Sequence, residues 1–270
     1  MSAQAETGYL QRSKGAAKAG FVQAGGLPCL RTLRQSGSAK AILLPGPRPE
    51  VVFLNTSGGL TDHDQLEYAL ELGSGCHVSA TTQTAERVYR SAGGEARIGV
   101  TARLGAGAHL DWLPQETILF DRSAARRRTE IDLAEDASCL MAETVVLGRA
   151  AMGETVSSTA FIDWRILRRG GRPLHVEVLR LCDRALRMGA AGLDGARALA
   201  SVVLAAPGAA DALGPVRAAL GMEGVRAAAS ALAGRLVVRL MAADAWPLRL
   251  QMIRLLSVLR SSPLPRVWQC

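Results

Sequence analysis

Two copies of one short segment decide how this chain folds: Leu72-Gly73-Ser74-Gly75-Cys76-His77 and Leu104-Gly105-Ala106-Gly107-Ala108-His109. The copies are 32 residues apart, and each is followed by a glutamine six residues after its histidine, Gln83 and Gln115. A weaker third copy begins at Leu133, where Ala137 takes the place of Ala108. Self-similarity at this period is typical of supersecondary units that stack and share one core. The repeat therefore predicts stacked hairpins, which present surfaces rather than one deep pocket.

Alternating side chains around the repeat indicate strands. Leu66, Tyr68, Leu70 and Leu72 recur at a period of two, as expected of a strand with one buried face. Further short extended stretches follow, and Arg168-Arg169-Gly170-Gly171-Arg172 is a hairpin signal. We therefore predict a mainly β protein, a β-helix-like stack of short strands and hairpins.

The C-terminal third adds one or two α-helices to this pattern. An Ala- and Leu-rich stretch predicts a helix near residues 209–220. Asp244 stands at an N-cap position before a second predicted helix, near residues 246–260. Between them, residues 225–232 and 236–241 fit a hairpin, with helix as the competing interpretation because alanine favours helix.

The chain is predicted to form one domain. Residues 1–18 fit a loose N-terminal tail, and residues 19–270 a single β domain whose core the 49% hydrophobic content can supply. Residues 1–16 lack the apolar segment of a secretory signal, and no stretch reaches the roughly 18 uninterrupted apolar residues of a spanning helix. We expect a soluble, cytoplasmic protein with no membrane segment.

Cysteine usage points to a reducing compartment. The five cysteines are scattered and form no CxxC pair, which indicates free thiols rather than a disulfide framework or a closed zinc site. A metal role for one or two of them stays open. They are Cys29, Cys76, Cys139, Cys182 and Cys270.

The positive charge is uneven along the chain. Of the net charge of +8, residues 184–270 carry +7, from 11 arginines against 4 acidic residues. Aromatic residues for base stacking are few, the arginines are spaced, and no helix-turn-helix or RNP-like pattern is present. We therefore expect an acidic protein partner rather than nucleic acid.

Several motifs resemble a known family. Asn55-Thr56-Ser57-Gly58-Gly59-Leu60, followed by Asp64, is similar to the N-P-x-G-G-L-x-x-G-D signature of the UreD (UreH) family of urease accessory proteins. The segments that resemble this family's other motifs are Thr81-Thr82-Gln83-Thr84-Ala85, Val88-Tyr89-Arg90-Ser91, Trp112-Leu113-Pro114-Gln115-Glu116-Thr117-Ile118, Gly148-Arg149, Gly153-Glu154, Arg235-Leu236-Val237-Val238-Arg239-Leu240 and Pro265-Arg266-Val267-Trp268. The resemblance covers residues 30–268, and the Trp112–Ile118 motif is its most specific part.

The chain departs from the family pattern at a few turns. Thr56 and Ser57 replace the usual Pro and Ala or Ser, and His63 stands where Gly is usual. Glu86-Arg87 replaces a Thr-Lys pair. These departures affect local turn geometry rather than the resemblance as a whole.

The resemblance implies a nickel-delivery chaperone. Members of the family adopt an extended β-helical fold and bind UreF, which holds the nickel-carrying GTPase UreG. The assembly docks on apo-urease and helps install its nickel ions, and internal channels are the proposed route of the metal. It also implies a dimer of the accessory complex, transient nickel and no tightly bound cofactor.

A route for nickel requires oxygen ligands and a few imidazoles, each too weak to trap the ion. The acidic candidates are Asp64, Glu67, Glu143 and Glu154. Alternatives remain open for two of them. Asp64 fits equally a turn carboxylate that accepts backbone N–H groups, and Glu154 a surface carboxylate or a partner of Arg149.

Histidines at equivalent positions of the repeat are the second set of candidates. His77 and His109 are expected to lie near each other in a stacked fold, and with Cys76 they suggest a nickel ligand set. The remaining motif residues fit structural roles: Gly58, Gly59, Gln83, Tyr89, Arg90, Trp112, Pro114, Gln115, Glu116 and Arg149. For Gln115 and Glu116 that role is to satisfy buried backbone at a bend, and Tyr89-Arg90 are expected to pack and pair locally.

An enzyme is not expected, because the chain contains no GxSxG, HExxH or Walker A motif. The competing hypothesis is a scaffold that bridges UreF to urease without contacting nickel. In either case we expect an exposed apolar docking surface and poor solubility without partners.

Overall fold

The computed structural model describes residues 12–269, and Cys270 lies outside this range. Most of the tail predicted for residues 1–18 also lies outside it. The last part of that segment is not a tail, because the first strand begins at Lys14. Gly15, Ala17 and Ala19 alternate with more polar residues there, and Ala17 and Ala19 are buried.

Strands dominate the described residues. They are β1 (Lys14–Ala24), β2 (Leu27–Gly37), β3 (Ala39–Leu44), β4 (Glu50–Asn55), β5 (Gln65–Leu72), β6 (His77–Thr82), β7 (Glu86–Val88), β8 (Ala96–Leu104), β9 (His109–Trp112), β10 (Thr117–Leu119), β11 (Ser123–Leu133), β12 (Ser138–Leu147), β13 (Thr159–Arg169), β14 (Arg172–Cys182), β15 (Ala198–Ala205), β16 (Val225–Leu232) and β17 (Arg235–Ala242). The α-helices are α1 (Asp183–Arg187), α2 (Leu213–Ala219) and α3 (Ala245–Leu259).

The strands form two sheets. Sheet A has the order β14-β13-β11-β8-β5-β1-β2, and sheet B the order β16-β17-β15-β12-β9-β6-β4-β3, with β10 and β7 beside β12. From β4 to β13 the chain passes repeatedly from one sheet to the other, so β5, β8, β11 and β13 pair in parallel, as do β4, β6, β9 and β12. This coiled path confirms the predicted β-helix-like stack.

The 32-residue repeat is one turn of this coil. Leu72 pairs with Leu104 and His77 with His109, each 32 residues further on. The third copy is confirmed at a shorter period of 29 residues, because Leu104 pairs with Leu133. Cys76, Ala108 and Ala137 stand at equivalent turns and are all buried.

The two glycines of the hairpin signal have the conformation that the turn requires. Gly170 has φ +53° and Gly171 φ +75°, both in the left-handed region, and they join β13 to β14. Two consecutive positive φ values match the right-handed twist of the strands. The hairpin prediction is therefore confirmed.

Sheet pairing decides the conformation of the Ala-rich C-terminal segments. β16 and β17 form an antiparallel hairpin, and β17 also pairs with β15 inside sheet B. Hydrogen bonding on both sides of β17 overrides the helix preference of alanine. The helices α2 and α3 cover the outer face of sheet B, and Asp244 accepts a hydrogen bond from the backbone N–H of Trp246, as expected of an N-cap.

The core has two layers. The first lies between the sheets and includes Phe53, Leu110, Trp112 and Phe161. The second lies between sheet B and the helices and includes Leu255. None of the helices in residues 12–269 is long and apolar enough to cross a membrane.

One edge of sheet A exposes apolar side chains. Leu27, Leu30 and Leu33 of β2 are 50%, 44% and 39% exposed. Solubility in the absence of partners stays a prediction.

Candidate functional site

A chain of alternating charges crosses the layer between the two sheets. Arg127 Nη1 lies 2.7 Å from Glu143 Oε2, and Arg127 Nη2 donates to Asp163 Oδ2 at 2.6 Å. Asp163 also accepts from Arg165, whose Nη1 donates to Glu177 Oε2 at 3.0 Å. Glu177 is 12% exposed and the other four side chains at most 4%. We call Glu143, Arg127, Asp163, Arg165 and Glu177 the inter-sheet charge chain.

Strand alternation places these side chains between the sheets. Arg127 is in phase with Ala125 and Ile131 of β11, both buried, and Asp163 is in phase with Phe161 of β13. Buried charges are tolerated only when they are paired. Burial alone would raise the pKa of Asp163, but the Arg127 and Arg165 guanidiniums outweigh it and hold the pKa below its ordinary value.

One end of the inter-sheet charge chain opens into a groove. The groove has a volume of about 670 Å³ and lies between β14 and the strands β15, β16 and β17. Glu177 stands there and accepts hydrogen bonds from Ser201 Oγ at 2.7 Å and Arg239 Nε at 2.6 Å. Burial would raise the pKa of Glu177, and bonds from His175, Arg165 and these two groups lower it strongly instead.

The other end reaches a small internal cavity. This cavity of about 30 Å³ is lined by Tyr68, Glu86, Trp112 and Glu143, among others. Trp112 Nε1 donates to Glu143 Oε1 at 2.9 Å. Glu86 is partly exposed and accepts from Asn55 Nδ2 at 3.2 Å. Burial raises the pKa of the Glu86 carboxyl to about 7, more than the Asn55 bond lowers it.

The other acidic candidates lie outside this chain. Asp64 is 5% exposed and accepts from the backbone N–H groups of Ser13 (2.7 Å) and Thr61 (2.8 Å), which is the turn role. Glu67 lies on the outer face of sheet A, with its carboxylate over Gly99. Neither carboxylate faces the space between the sheets.

Glu154 has the local role that was its alternative. It lies in the loop after β12, 2.8 Å from Arg149 Nε, and accepts from the backbone N–H groups of Asp121 and Arg149. Burial would raise the pKa of Glu154, and these hydrogen bonds lower it. Arg149 also stacks on Phe120, with its Cζ 4.2 Å from the ring centroid. The pair closes this loop.

The two repeat histidines are neighbours, as the period predicted. The rings of His77 and His109 lie 5.8 Å apart on the outer face of sheet B. His109 contacts Ser138 Oγ through Nδ1 (2.7 Å) and Asp111 Oδ1 through Nε2 (3.0 Å). Burial, with the nearby His109, lowers the pKa of His77. Cys76 is fully buried in the inter-sheet core and so faces away from this pair.

No cluster of three or more His, Cys, Asp or Glu side chains in residues 12–269 could hold a metal ion. The six predicted path residues are instead spread over three surfaces and two turns. Glu143 is the one that belongs to the inter-sheet charge chain.

The glycine motif and the tyrosine motif form one unit. Gly58 has φ +79°, and Tyr89 Oη donates to its carbonyl oxygen at 2.8 Å. A Cβ at Gly59 would stand 2.5 Å from the Tyr89 ring, so only glycine fits there. Tyr89 also packs edge-on against Phe120, at 5.0 Å between centroids. Arg90 is exposed, and its carbonyl oxygen accepts from the Thr61 hydroxyl.

The most specific motif binds the C-terminal motif. Trp268 Nε1 donates to the Leu113 carbonyl oxygen at 2.9 Å, although 155 residues separate them. Arg249 of α3 donates to Gln115 Oε1 at 2.8 Å and stacks on Trp268, with its Cζ 5.2 Å from the ring centroid. Pro114 lines the internal cavity, and Gln83, the repeat partner of Gln115, is exposed. Gln115 therefore anchors the C-terminal helix.

Sequence reasoning missed most of the inter-sheet charge chain, namely Arg127, Asp163, Arg165 and Glu177. Its signal was nevertheless present. Arginines and carboxylates that stand in phase with the apolar residues of a strand must be buried, and a buried charge needs a partner.

Comparison with known proteins agrees with this architecture. Residues 13–269 match the family model "UreD urease accessory protein". A relative from Cereibacter sphaeroides is 59% identical over 264 residues, which cover 96% of each chain. Relatives from Paracoccus denitrificans (51% identity, 96% of this chain and 93% of the relative) and Rhizobium leguminosarum bv. trifolii (46%, 88% and 89%) are also similar.

All three relatives are named urease accessory protein UreD. A family model that matches nearly the whole chain, together with identities of this size over this length, settles the family. The chain belongs to the UreD family of urease accessory proteins.

Proposed function

We propose that this protein is a cytoplasmic assembly factor, not an enzyme, that supports nickel insertion into urease. It acts with UreF and UreG on apo-urease, in an accessory complex that forms a dimer. The family match over residues 13–269 supports a role in urease maturation. The named partners follow from the motif resemblance rather than from a contact in the structure.

The observation that carries a route for nickel is the inter-sheet charge chain. It joins the internal cavity beside Glu86 to the groove beside Glu177 through a layer that is otherwise apolar. Nickel is the cargo here and binds transiently, through carboxylate oxygens such as those of Glu143. The route excludes Asp64, Glu67 and Glu154, which lie in turns or on an outer face.

A bridging scaffold is the second candidate, and a specific observation favours it. The carboxylates of Glu143, Asp163 and Glu177 are each already paired with an arginine. A divalent cation that enters would meet the positive charges of Arg127 and Arg165, and must displace them from their partners. A scaffold requires none of this movement.

Co-expression tests the assembly role. The chain is produced with UreF, UreG and apo-urease from one source, the complex is purified, and the nickel content and activity of urease are measured. We expect a stable complex and urease activation that is lost when this chain is omitted. A urease that acquires nickel equally well without the chain would contradict the proposal.

A second variant distinguishes the two candidates. Glu143→Gln keeps an acceptor for Trp112 Nε1 but removes the charge from the route. Glu67→Gln, on the outer face of sheet A, is the matched control. A nickel content of urease that falls at least tenfold in Glu143→Gln alone, with the complex intact, supports the route. Equal nickel contents support the scaffold.

A further inference from the structure

A pocket of about 270 Å³ lies at the beginning of α3, apart from the inter-sheet charge chain. Its wall combines aromatic, apolar and charged side chains. They include Glu116, Asp244, Trp246, Arg249, Met252 and Trp268. The pocket lies where the Trp112–Ile118 motif meets the C-terminal motif, so two distant parts of the chain build it.

Trp246 is the exposed member of this pocket. Its side chain is 56% exposed, whereas Trp112 and Trp268 are 2% and 3% exposed. Asp244 caps α3 through the backbone N–H of Trp246, which fixes the tryptophan in the first helical turn at the mouth of the pocket. Tryptophan in such a position is typical of the residues that dominate binding energy at protein interfaces.

The protein already binds one guanidinium in this pocket. Arg249 stacks on the Trp268 ring at 5.2 Å, and its Nη1 lies 3.7 Å from Glu116 Oε2. An aromatic face and a carboxylate are thus combined around one cation. Trp246 and Asp244 offer the same two groups at the mouth of the pocket, where both are exposed.

The local charge complements a basic partner. The protein as a whole has a net charge of +8, but the pocket holds two carboxylates, Glu116 and Asp244, against the single guanidinium of Arg249. An excess of negative charge beside an exposed indole ring favours a cation with an apolar stem.

We propose that this pocket is a docking site for an arginine or lysine side chain of a protein partner in the urease maturation assembly. The side chain lies on Trp246 and directs its charge to Asp244 and Glu116. This inference rests on the proposed function, because it places the partner in that assembly.

The test uses the tagged chain co-expressed with urease and its accessory proteins, and measures the partners retained at increasing salt. Trp246→Ala is expected to lower retention at least tenfold. Trp164→Ala is the matched control, because Trp164 is 36% exposed but lies on β13 of sheet A. We expect it to change retention less than twofold. Equal retention by Trp246→Ala and wild type overturns the proposal.

A charge variant tests the nature of the occupant. Asp244→Asn keeps the helix cap, since asparagine caps as well as aspartate, and removes one negative charge. We expect it to lower retention and to weaken its salt dependence. Retention that Trp246→Ala lowers but Asp244→Asn leaves unchanged overturns the basic side chain. A wild-type chain that retains no partner overturns the proposed function instead.

Discussion

The carboxylates at the turns of this protein and those between its sheets are held by different groups. At the turns, Asp64, Asp121 and Glu154 accept backbone N–H groups from neighbouring loops. Between the sheets, Glu143 and Asp163 face arginine guanidiniums. The first set closes loops that lie near water, and the second neutralises charges that water does not reach.

The difference shows that an acidic residue in a family motif does not by itself indicate the cargo route. Asp64 and Glu154 stand in the recognisable motifs, yet their oxygens are used by the backbone of their own turns. Asp163 stands in no motif and lies at the centre of the inter-sheet charge chain. The depth of a carboxylate and the identity of its donors therefore separate structural from route residues better than motif membership does.

The largest effect is expected from Asp163→Ala. This change leaves Arg127 and Arg165 buried without their shared partner, so we expect a loss of about 3–5 kcal/mol in the free energy of unfolding. Denaturant titration measures it. Asp132→Ala is the control, because Asp132 forms a half-exposed pair with Arg168 and is worth about 1 kcal/mol or less. Similar losses in the two variants would contradict the comparison.

Glu86 sharpens the comparison through pH, because no arginine holds it. Its pKa of about 7 lies above the ordinary 4.5, so the folded state favours the protonated carboxyl. The stability that this provides is complete below about pH 4.5 and is lost as the pH rises through 7. Glu86→Gln is therefore expected to gain about 1–3 kcal/mol over wild type at pH 8 and nothing at pH 4.

The measurement is the denaturation midpoint of both proteins across that pH range. Asp163 has the opposite sign, since its lowered pKa provides stability that is lost as the pH falls. A difference between Glu86→Gln and wild type that does not change with pH would refute the raised pKa.

A smaller effect is expected at the turns. Asp64→Ala leaves two partly buried N–H groups, of Ser13 and Thr61, without their acceptor, which costs about 1–3 kcal/mol of stability. The nickel content of urease per folded complex should not change. Measuring both quantities on one preparation separates the roles. Lower nickel content at unchanged stability would return Asp64 to the route.

The smallest effect is expected at the helix cap. Asp244→Ala removes the acceptor of the Trp246 N–H and should cost about 1 kcal/mol, whereas Asp244→Asn should cost only a few tenths. Thermal unfolding of the two variants provides the test. Equal losses would mean that the charge of Asp244, rather than its capping geometry, stabilises α3.

Much of the fold was accessible from the sequence. The repeat predicted the stacked turns and the proximity of His77 to His109, and the period-two alternation predicted β5 and β8. Local chemistry also predicted the Gly170-Gly171 turn and the Asp244 cap. These features depend on residues close in sequence or repeated at a fixed distance. The hairpin of β16 and β17 was harder, because alanine has no strong strand preference and pairing with β15 decides it.

The candidate site was less accessible. Glu143 was identified, but its partners Arg127 and Asp163 lie 16 and 20 residues away on other strands of the coil. Only the stacking of the sheets brings them together. The contact between Trp268 and Leu113 likewise joins the two ends of the family resemblance, and no local pattern specifies it.

The sequence by itself determined the coil, its period, the turns and the family, because backbone conformation and strand alternation are local properties that repeat along the chain. Only the tertiary structure decided which charges are buried together and which tryptophan is left exposed. Burial of a charge or a ring depends on which strand or helix lies opposite, and that neighbour is chosen by packing over the whole molecule.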